Sequence, residues 1–196
     1  MMKKLIGLTG KTGAGKSTVS KYLREKGAYI IDGDVVARQV LEDDKNLLSR
    51  LSDAFGGVLN EDGSLNRKLL ASKAFCDEES TKLLNSIIHP AINDAMEKES
   101  QEAFKTYDVV VVDAAAIIES GYSDKCDALY VVHAPFEVRK ERIINRDNLS
   151  ERDALIRMNG QKDDDFYLSR ADKVINAYPP HSLQEQLDSI EKELFH

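Results

Sequence analysis

Eight consecutive residues, Gly10-Lys11-Thr12-Gly13-Ala14-Gly15-Lys16-Ser17, could cradle a polyphosphate. They fit G-x-x-x-x-G-K-[ST] at each fixed position, after an apolar run and before an amphipathic one. The chemistry needs that pattern. Backbone N–H groups must curl inward around an anion, which calls for the free φ of Gly10, Gly13 and Gly15. A helix starting near Lys16 points its positive dipole end at the same anion. Lys16 is expected to reach the β- and γ-phosphates, and Ser17 to offer its hydroxyl to Mg²⁺. A chance glycine-rich turn is the bland alternative; it would not require the flanking pattern.

A second chemical group stands at Ile30-Ile31-Asp32-Gly33-Asp34. In an open parallel sheet, ligands bind beyond the carboxyl ends of the strands. An aspartate there can orient an acceptor hydroxyl and take its proton. Asp34 could equally be the N-cap of the following helix, and Asp32 could cap just as well. The further signatures of a GTPase switch are absent: Asp113-Ala114-Ala115-Ala116 lacks the glycine of D-x-x-G, and there is no N-K-x-D. No arginine- and glycine-containing transport-ATPase signature is present either. A small-molecule kinase is the expectation that remains.

The elements that must position these groups can be read from periodicity. Apolar runs at Lys4–Thr9, Ala28–Asp32, Asp108–Asp113, Ala128–His133 and, more weakly, Ala171–Asn176 read as buried strands. Helical patterns occupy Lys16–Lys26, Phe136–Arg146 and Leu183–Leu194, the last with Leu183, Leu187, Ile190 and Leu194 on one face. Strands alternating with helices predict an α/β fold of three layers with a parallel five-stranded sheet. About 75 residues separate the second strand from the third. That stretch carries helical patterns at Val35–Leu41, Lys45–Phe55, Asn66–Phe75 and Glu78–Phe104, with a turn at Asp62-Gly63. One domain over 1–196 is expected: a core of 1–34, 105–146 and 171–196, a helical acceptor-binding insertion at 35–104, and a charged, Arg-rich lid at about 147–170.

Composition agrees with a folded enzyme. Of 196 residues, 42% are hydrophobic and 31% charged, and the net charge is −7. Nucleic-acid binders usually carry a basic excess, so nucleic acid is not an expected partner. The two cysteines, Cys76 and Cys126, form no C-x-x-C and have no nearby histidine pair, which argues against a zinc site, and their count excludes a disulfide framework; both are expected to be small buried residues. The apolar stretch after Met1-Met2-Lys3-Lys4 is too short for a signal peptide, and no run approaches a membrane span. No membrane partner and a cytoplasmic location are expected.

Several further segments resemble the dephospho-coenzyme A kinase family. They are Asp34-Val35-Val36-Ala37-Arg38, the loop Asp62 to Arg67, Leu84-Asn85-Ser86-Ile87-Ile88-His89-Pro90, Asp113 to Glu119, Arg142 with Arg146-Asp147, Arg157 to Gln161, and Ala171-Asp172-Lys173-Val174-Ile175. They run in the family's order over nearly the whole chain. The resemblance implies transfer of the ATP γ-phosphoryl group to the 3′-hydroxyl of dephospho-coenzyme A, the last step of coenzyme A synthesis. It implies Lys16, Asp34 and Arg142 as catalytic residues, with Asp34 the general base. It implies ATP contacts from Gly10, Thr12, Gly13, Ala14, Gly15, Lys16, Ser17, Thr18, Arg142 and Arg146, and Mg²⁺ held through Ser17. Asp34, Arg38, His89 and Asp113 would meet the acceptor. With ATP and dephospho-coenzyme A as partners, a monomer or weak homo-oligomer is expected.

Blander roles exist for some of these residues. Arg142 and Arg146, at i and i+4, could be a solvated helix face, Arg38 a surface ion pair, and His89 a kink residue before Pro90. The chain also departs from the family. Ala115-Ala116-Ile117 replaces Pro-Leu-Leu, altering the floor expected for the acceptor pocket. Tyr167 replaces a basic residue, and Ala177 an asparagine. Asp163-Asp164-Asp165 crowds the lid, where repulsion from a triphosphate would turn those charges toward solvent. His133 and His181 receive no role. Two other readings stay open: another small-molecule or nucleoside kinase on the same scaffold, and a nucleotide-binding regulatory protein without transfer activity.

Overall fold

The computed structural model describes residues 3–196; Met1 and Met2, counted in the expected domain, lie outside them. Five strands, β1 (Lys4–Thr9), β2 (Tyr29–Asp32), β3 (Val109–Asp113), β4 (Ala128–His133) and β5 (Lys173–Asn176), form one sheet in the order β2-β3-β1-β4-β5. The pairings β1 with β3, β1 with β4, and β4 with β5 are parallel. Four consecutive valines, Val109 to Val112, are all buried, because a strand covered on both faces has no solvent side to alternate with. Asp127 and Asp172 accept hydrogen bonds from the N–H groups of Leu5 and Leu129, each at 2.7 Å, near strand starts. Asp172 is therefore a structural member of its segment.

One helical layer is α1 (Lys16–Glu25) with α9 (Leu183–Phe195). Val19 and Leu23 of α1 and Leu187, Ile190 and Leu194 of α9 share a core with Ile6, Leu8, Val109, Val111, Tyr130 and Val132. Leu183, expected on the same face, packs against that core while partly exposed. On the opposite sheet face Leu5, Val110, Val112, Leu129 and Val131 are buried too, so that face is also covered. Burying each such side chain contributes roughly 1.5–3 kcal/mol.

Two compact units emerge. One runs to Ile31 and resumes over Ser100–His196; the other is Asp32–Glu99. The second holds α2 (Gly33–Asp43), α3 (Lys45–Phe55), α4 (Arg67–Ala74) and most of α5 (Glu78–Ala103). Its own core comprises Leu47, Leu51, Phe55, Val58, Leu70, Ala74, Leu84 and Ile87. Local chemistry sets its joints. Asn66 caps α4 by accepting from the Leu69 N–H at 3.0 Å, and Lys73 donates to the Phe55 and Gly56 carbonyls that close α3. The expected Asp62-Gly63 turn is held by Asp62 accepting from the Ser64 N–H at 2.9 Å. Pro90 lies inside α5, which continues through it.

In the first unit, α6 (Phe136–Asp147), α7 (Glu151–Asn159) and α8 (Asp164–Leu168) follow β4. The 147–170 stretch is thus mainly two short helices. Ser150 and Asp163 cap them, and Ala154 and Met158 pack on Ile143 of α6. One expectation fails here. Cys76 is exposed, because it follows the end of α4 where the chain turns into α5; Cys126 is half-buried. Among the described residues no helix is long and apolar enough to cross a membrane.

Candidate active site

The loop Gly10–Gly15 joins β1, the central strand, to α1. A Cβ at Gly10 would meet the Val132 carbonyl oxygen at 2.5 Å, and one at Gly13 (φ 79°) the Arg139 carbonyl oxygen at 2.7 Å. These glycines are therefore required twice, for backbone conformation and for close approach to β4 and α6. Gly15 is the N-cap of α1, and no side chain caps that end. The free N-terminal amides and the positive end of the helix dipole suit an anion.

Lys16 forms an ion pair with Asp113 at the carboxyl end of β3. Sheet register sets this contact, since Asp113 stands opposite Leu8, the penultimate residue of β1. Asp113 was expected among the acceptor contacts; its observed partner is the P-loop lysine. Ser17 and Thr18 are exposed on the first turn of α1. Among the described residues no three His, Cys, Asp or Glu side chains gather as a metal site. The exposed Ser17 hydroxyl and the partly exposed Asp113 carboxylate are hard oxygen donors, the type that suits Mg²⁺.

Arg142 is no solvated face residue. Its guanidinium donates to the Gly13 and Ala14 carbonyls at 3.3 and 3.0 Å and to the Ala177 carbonyl. It thereby ties the P-loop to the end of β5. Arg146 is exposed and makes a two-pronged pair with Asp147 at 2.7 and 2.8 Å, and Arg157 joins the same carboxylate. The Arg146 hydrogen bonds and the Arg157 charge hold the Asp147 carboxyl down to about 2.

The segment 161–164 meets the P-loop directly. Gln161 Oε1 accepts from the Thr12 N–H at 2.9 Å, and Asp164 pairs with Lys11 at 2.9 Å. Asp164 therefore does not turn to solvent as expected, because two cations, Lys11 and the buried Arg139, face it; Asp163 and Asp165 are exposed. Tyr167 is buried, and burial together with the Glu119 carboxylate lifts its phenol to about 12. Ile117 is fully buried, while Ala115 and Ala116 are exposed. His133 and His181 flank Tyr178, with ring centroids 5.8 and 4.9 Å away.

In the Asp32–Glu99 unit, the carboxylate that caps α2 is Asp32. It accepts from the Asp34 and Val35 N–H groups at 3.0 and 3.1 Å. Asp34 is left exposed in the first turn, and Arg38 is exposed one turn later on α2. Among the described residues neither side chain is held by an ion pair, so Arg38 is not the surface pair that spacing allowed. His89 is half-buried in α5, and burial lowers its imidazole from the ordinary value, leaving it neutral near pH 7. Sequence reasoning missed Lys11 and Arg139, and the contact that Gln161 makes with Thr12. The one available signal was a lysine in the P-loop of a chain whose lid is acidic.

The profile of a family described as dephospho-CoA kinase matches residues 4–179. A dephospho-CoA kinase of Corynebacterium jeikeium is 44% identical over 185 residues, covering 93% of this chain and 95% of that one. A solved Thermus thermophilus structure superposes with a TM-score of 0.81 at 29% identity, over 100% of both chains. A dephospho-CoA kinase structure from Campylobacter jejuni gives a TM-score of 0.71 at 26% identity, over 98% of each.

Proposed function

Because the chain belongs to the dephospho-CoA kinase family, which transfers the ATP γ-phosphoryl group to the 3′-hydroxyl of dephospho-coenzyme A, we propose which of its residues divide that work. Lys16 holds the β- and γ-phosphates, and the P-loop amides of Gly10 to Thr18 cradle them. Mg²⁺ fits the Ser17 hydroxyl and the Asp113 carboxylate, and when bound it supplies neutralisation of charge on the phosphates. Arg142 acts by fixing the P-loop against β5, and Arg146 reaches the nucleotide from the lid hinge. Asp34 takes the proton of the attacking hydroxyl. Arg38 and His89 meet the acceptor, Arg38 as a phosphate or ribose partner and His89 as a neutral hydrogen-bonding ring. The Asp32–Glu99 unit carries the acceptor, and residues 147–170 close as a lid. The setting is cytoplasmic.

The observation that carries this division is at the end of β2. Asp32 is consumed as a helix cap, so Asp34 is the carboxylate left for chemistry. A positioned general base contributes about 10²–10⁴-fold. Asp34→Asn should therefore lower kcat by about that factor with ATP affinity nearly unchanged. Asp32→Asn should keep most of the turnover. A dead Asp32→Asn enzyme beside a near-normal Asp34→Asn enzyme would reverse the two roles.

A further inference from the structure

The contact between Lys11 and Asp164 joins the P-loop to the lid, and it is backed by a charge that has nowhere else to go. Arg139 of α6 is 2% exposed. Its Nε donates to the Ala134 carbonyl at 3.0 Å, its Nη1 has no hydrogen-bond partner, and its nearest carboxylate oxygen, Asp164 Oδ1, stands 4.0 Å from an Nη. The same Oδ1 lies 2.9 Å from Lys11 Nζ, whose side chain is 13% exposed. A guanidinium keeps its charge when buried, so it requires a counter-charge. Burial opposes the Asp164 charge. The Lys11 ion pair and the Arg139 charge outweigh it and hold the carboxyl below its ordinary value.

The adjoining cavity, lined by Lys11, Ala14, His133, Arg139, Asp164 and Tyr167 among others, has only ≈ 10 Å³ of room. That is the space of one water and far too little for a nucleotide. The cluster is thus a joint beside the phosphate site rather than part of it. Three residues away along the lid, Gln161 holds the neighbouring P-loop amide of Thr12. Two anchors, Asp164 at the start of α8 and Gln161 in the turn before it, fasten this segment to the strand-to-helix turn that must hold the phosphates.

We propose that Asp164 is a positioning residue that seats the lid on the P-loop through Lys11 and Arg139, and so keeps water from competing with the acceptor. The inference rests on the lid reading given above. An exposed ion pair would matter little. Here removal of the carboxylate strands a buried cation, and the lid must shift to let water reach it. A loosened lid admits water as an alternative acceptor of the γ-phosphoryl group: the water oxygen bonds to phosphorus, the bridge to ADP breaks, and the water proton passes to solvent, giving inorganic phosphate.

The test compares ADP release without acceptor to ADP release with dephospho-coenzyme A, in wild type, Asp164→Asn, Asp164→Glu and Lys11→Gln. Asp164→Asn and Lys11→Gln should raise the ratio of hydrolysis to transfer, with a fold-change on the order of ten. Asp164→Glu, which keeps the charge, should restore most of the coupling. Hydrogen exchange over 161–170 should quicken in Asp164→Asn with ATP bound. A merely structural role would lower both activities together and leave the ratio alone. An unchanged ratio in the two charge-removing variants, with wild-type lid protection by ATP plus acceptor intact, overturns the latch and spares the lid. Absence of that protection in wild type overturns both.

Discussion

Lys16 at the start of α1 and Asp113 at the end of β3 are bound to each other, so a triphosphate must replace a carboxylate as the partner of the lysine. The pair is partly exposed, and such pairs contribute roughly 0–1 kcal/mol to stability. Lys16→Ala should therefore abolish turnover while moving the melting temperature little; activity and thermal shift measured together check this, and a turning-over Lys16→Ala enzyme would remove the P-loop from the mechanism. Asp32 belongs to a different ledger. It satisfies two amides of α2, and Asp32→Ala should cost about 1 kcal/mol in urea unfolding, as loss of a cap does. The turn from β1 into α1 was legible in residue types, because phosphate chemistry allows few substitutes for Gly, Lys and Ser in that order. The division between Asp32 and Asp34 was not. Side chains two apart on a strand share a face, and only the onset of α2 at Gly33 shows which carboxylate the backbone uses.

At the scale of elements, sheet strands and the helices flanking the P-loop were readable because burial on both faces leaves unbroken apolar runs. Lys4–Thr9 and Ala128–His133 stand where the runs placed them. Residues 147–170 were not readable in the same way. Helices α7 and α8 there are short and charged, and their caps at Ser150 and Asp163 lie in a stretch whose apolar pattern is too brief to show a period. The acidic run misled for a physical reason: repulsion from a phosphate was weighed without the cations Lys11 and Arg139 that face Asp164. Among the described residues Ala154 and Met158 are the buried apolar residues of α7, so this segment should open at low free-energy cost. Hydrogen exchange across 147–170 should slow when ATP and acceptor are both present, and unchanged exchange would show that the segment is not a lid. Cys76, exposed beyond α4, should react with a thiol reagent well before half-buried Cys126.

For the whole molecule, titration links charge to folding. Asp147, held near 2 chiefly by its hydrogen bonds to Arg146, and Asp62, Asp77, Asp188, Glu191 and Glu193, all lowered by hydrogen-bonded partners, bind protons less readily folded than unfolded. Their contribution is present above the ordinary carboxylate range and is lost as pH falls through the folded values, so the melting temperature should drop below about pH 4. Tyr22, Tyr130 and Tyr167 have the opposite sign: their phenols are raised, Tyr167 to about 12, so stability should fall again as pH climbs past about 10. Family membership was legible because its motifs run the length of the chain in order, whereas the boundary of the Asp32–Glu99 unit emerged only from packing. The account stands or falls on the acceptor. The direct measurement is ADP release by the purified chain with Mg²⁺ and ATP, against dephospho-coenzyme A, nucleosides, shikimate and water in turn. The predicted result is rapid release with dephospho-coenzyme A and near-background release with the other three; equal or faster release with a nucleoside, shikimate or water alone would contradict it.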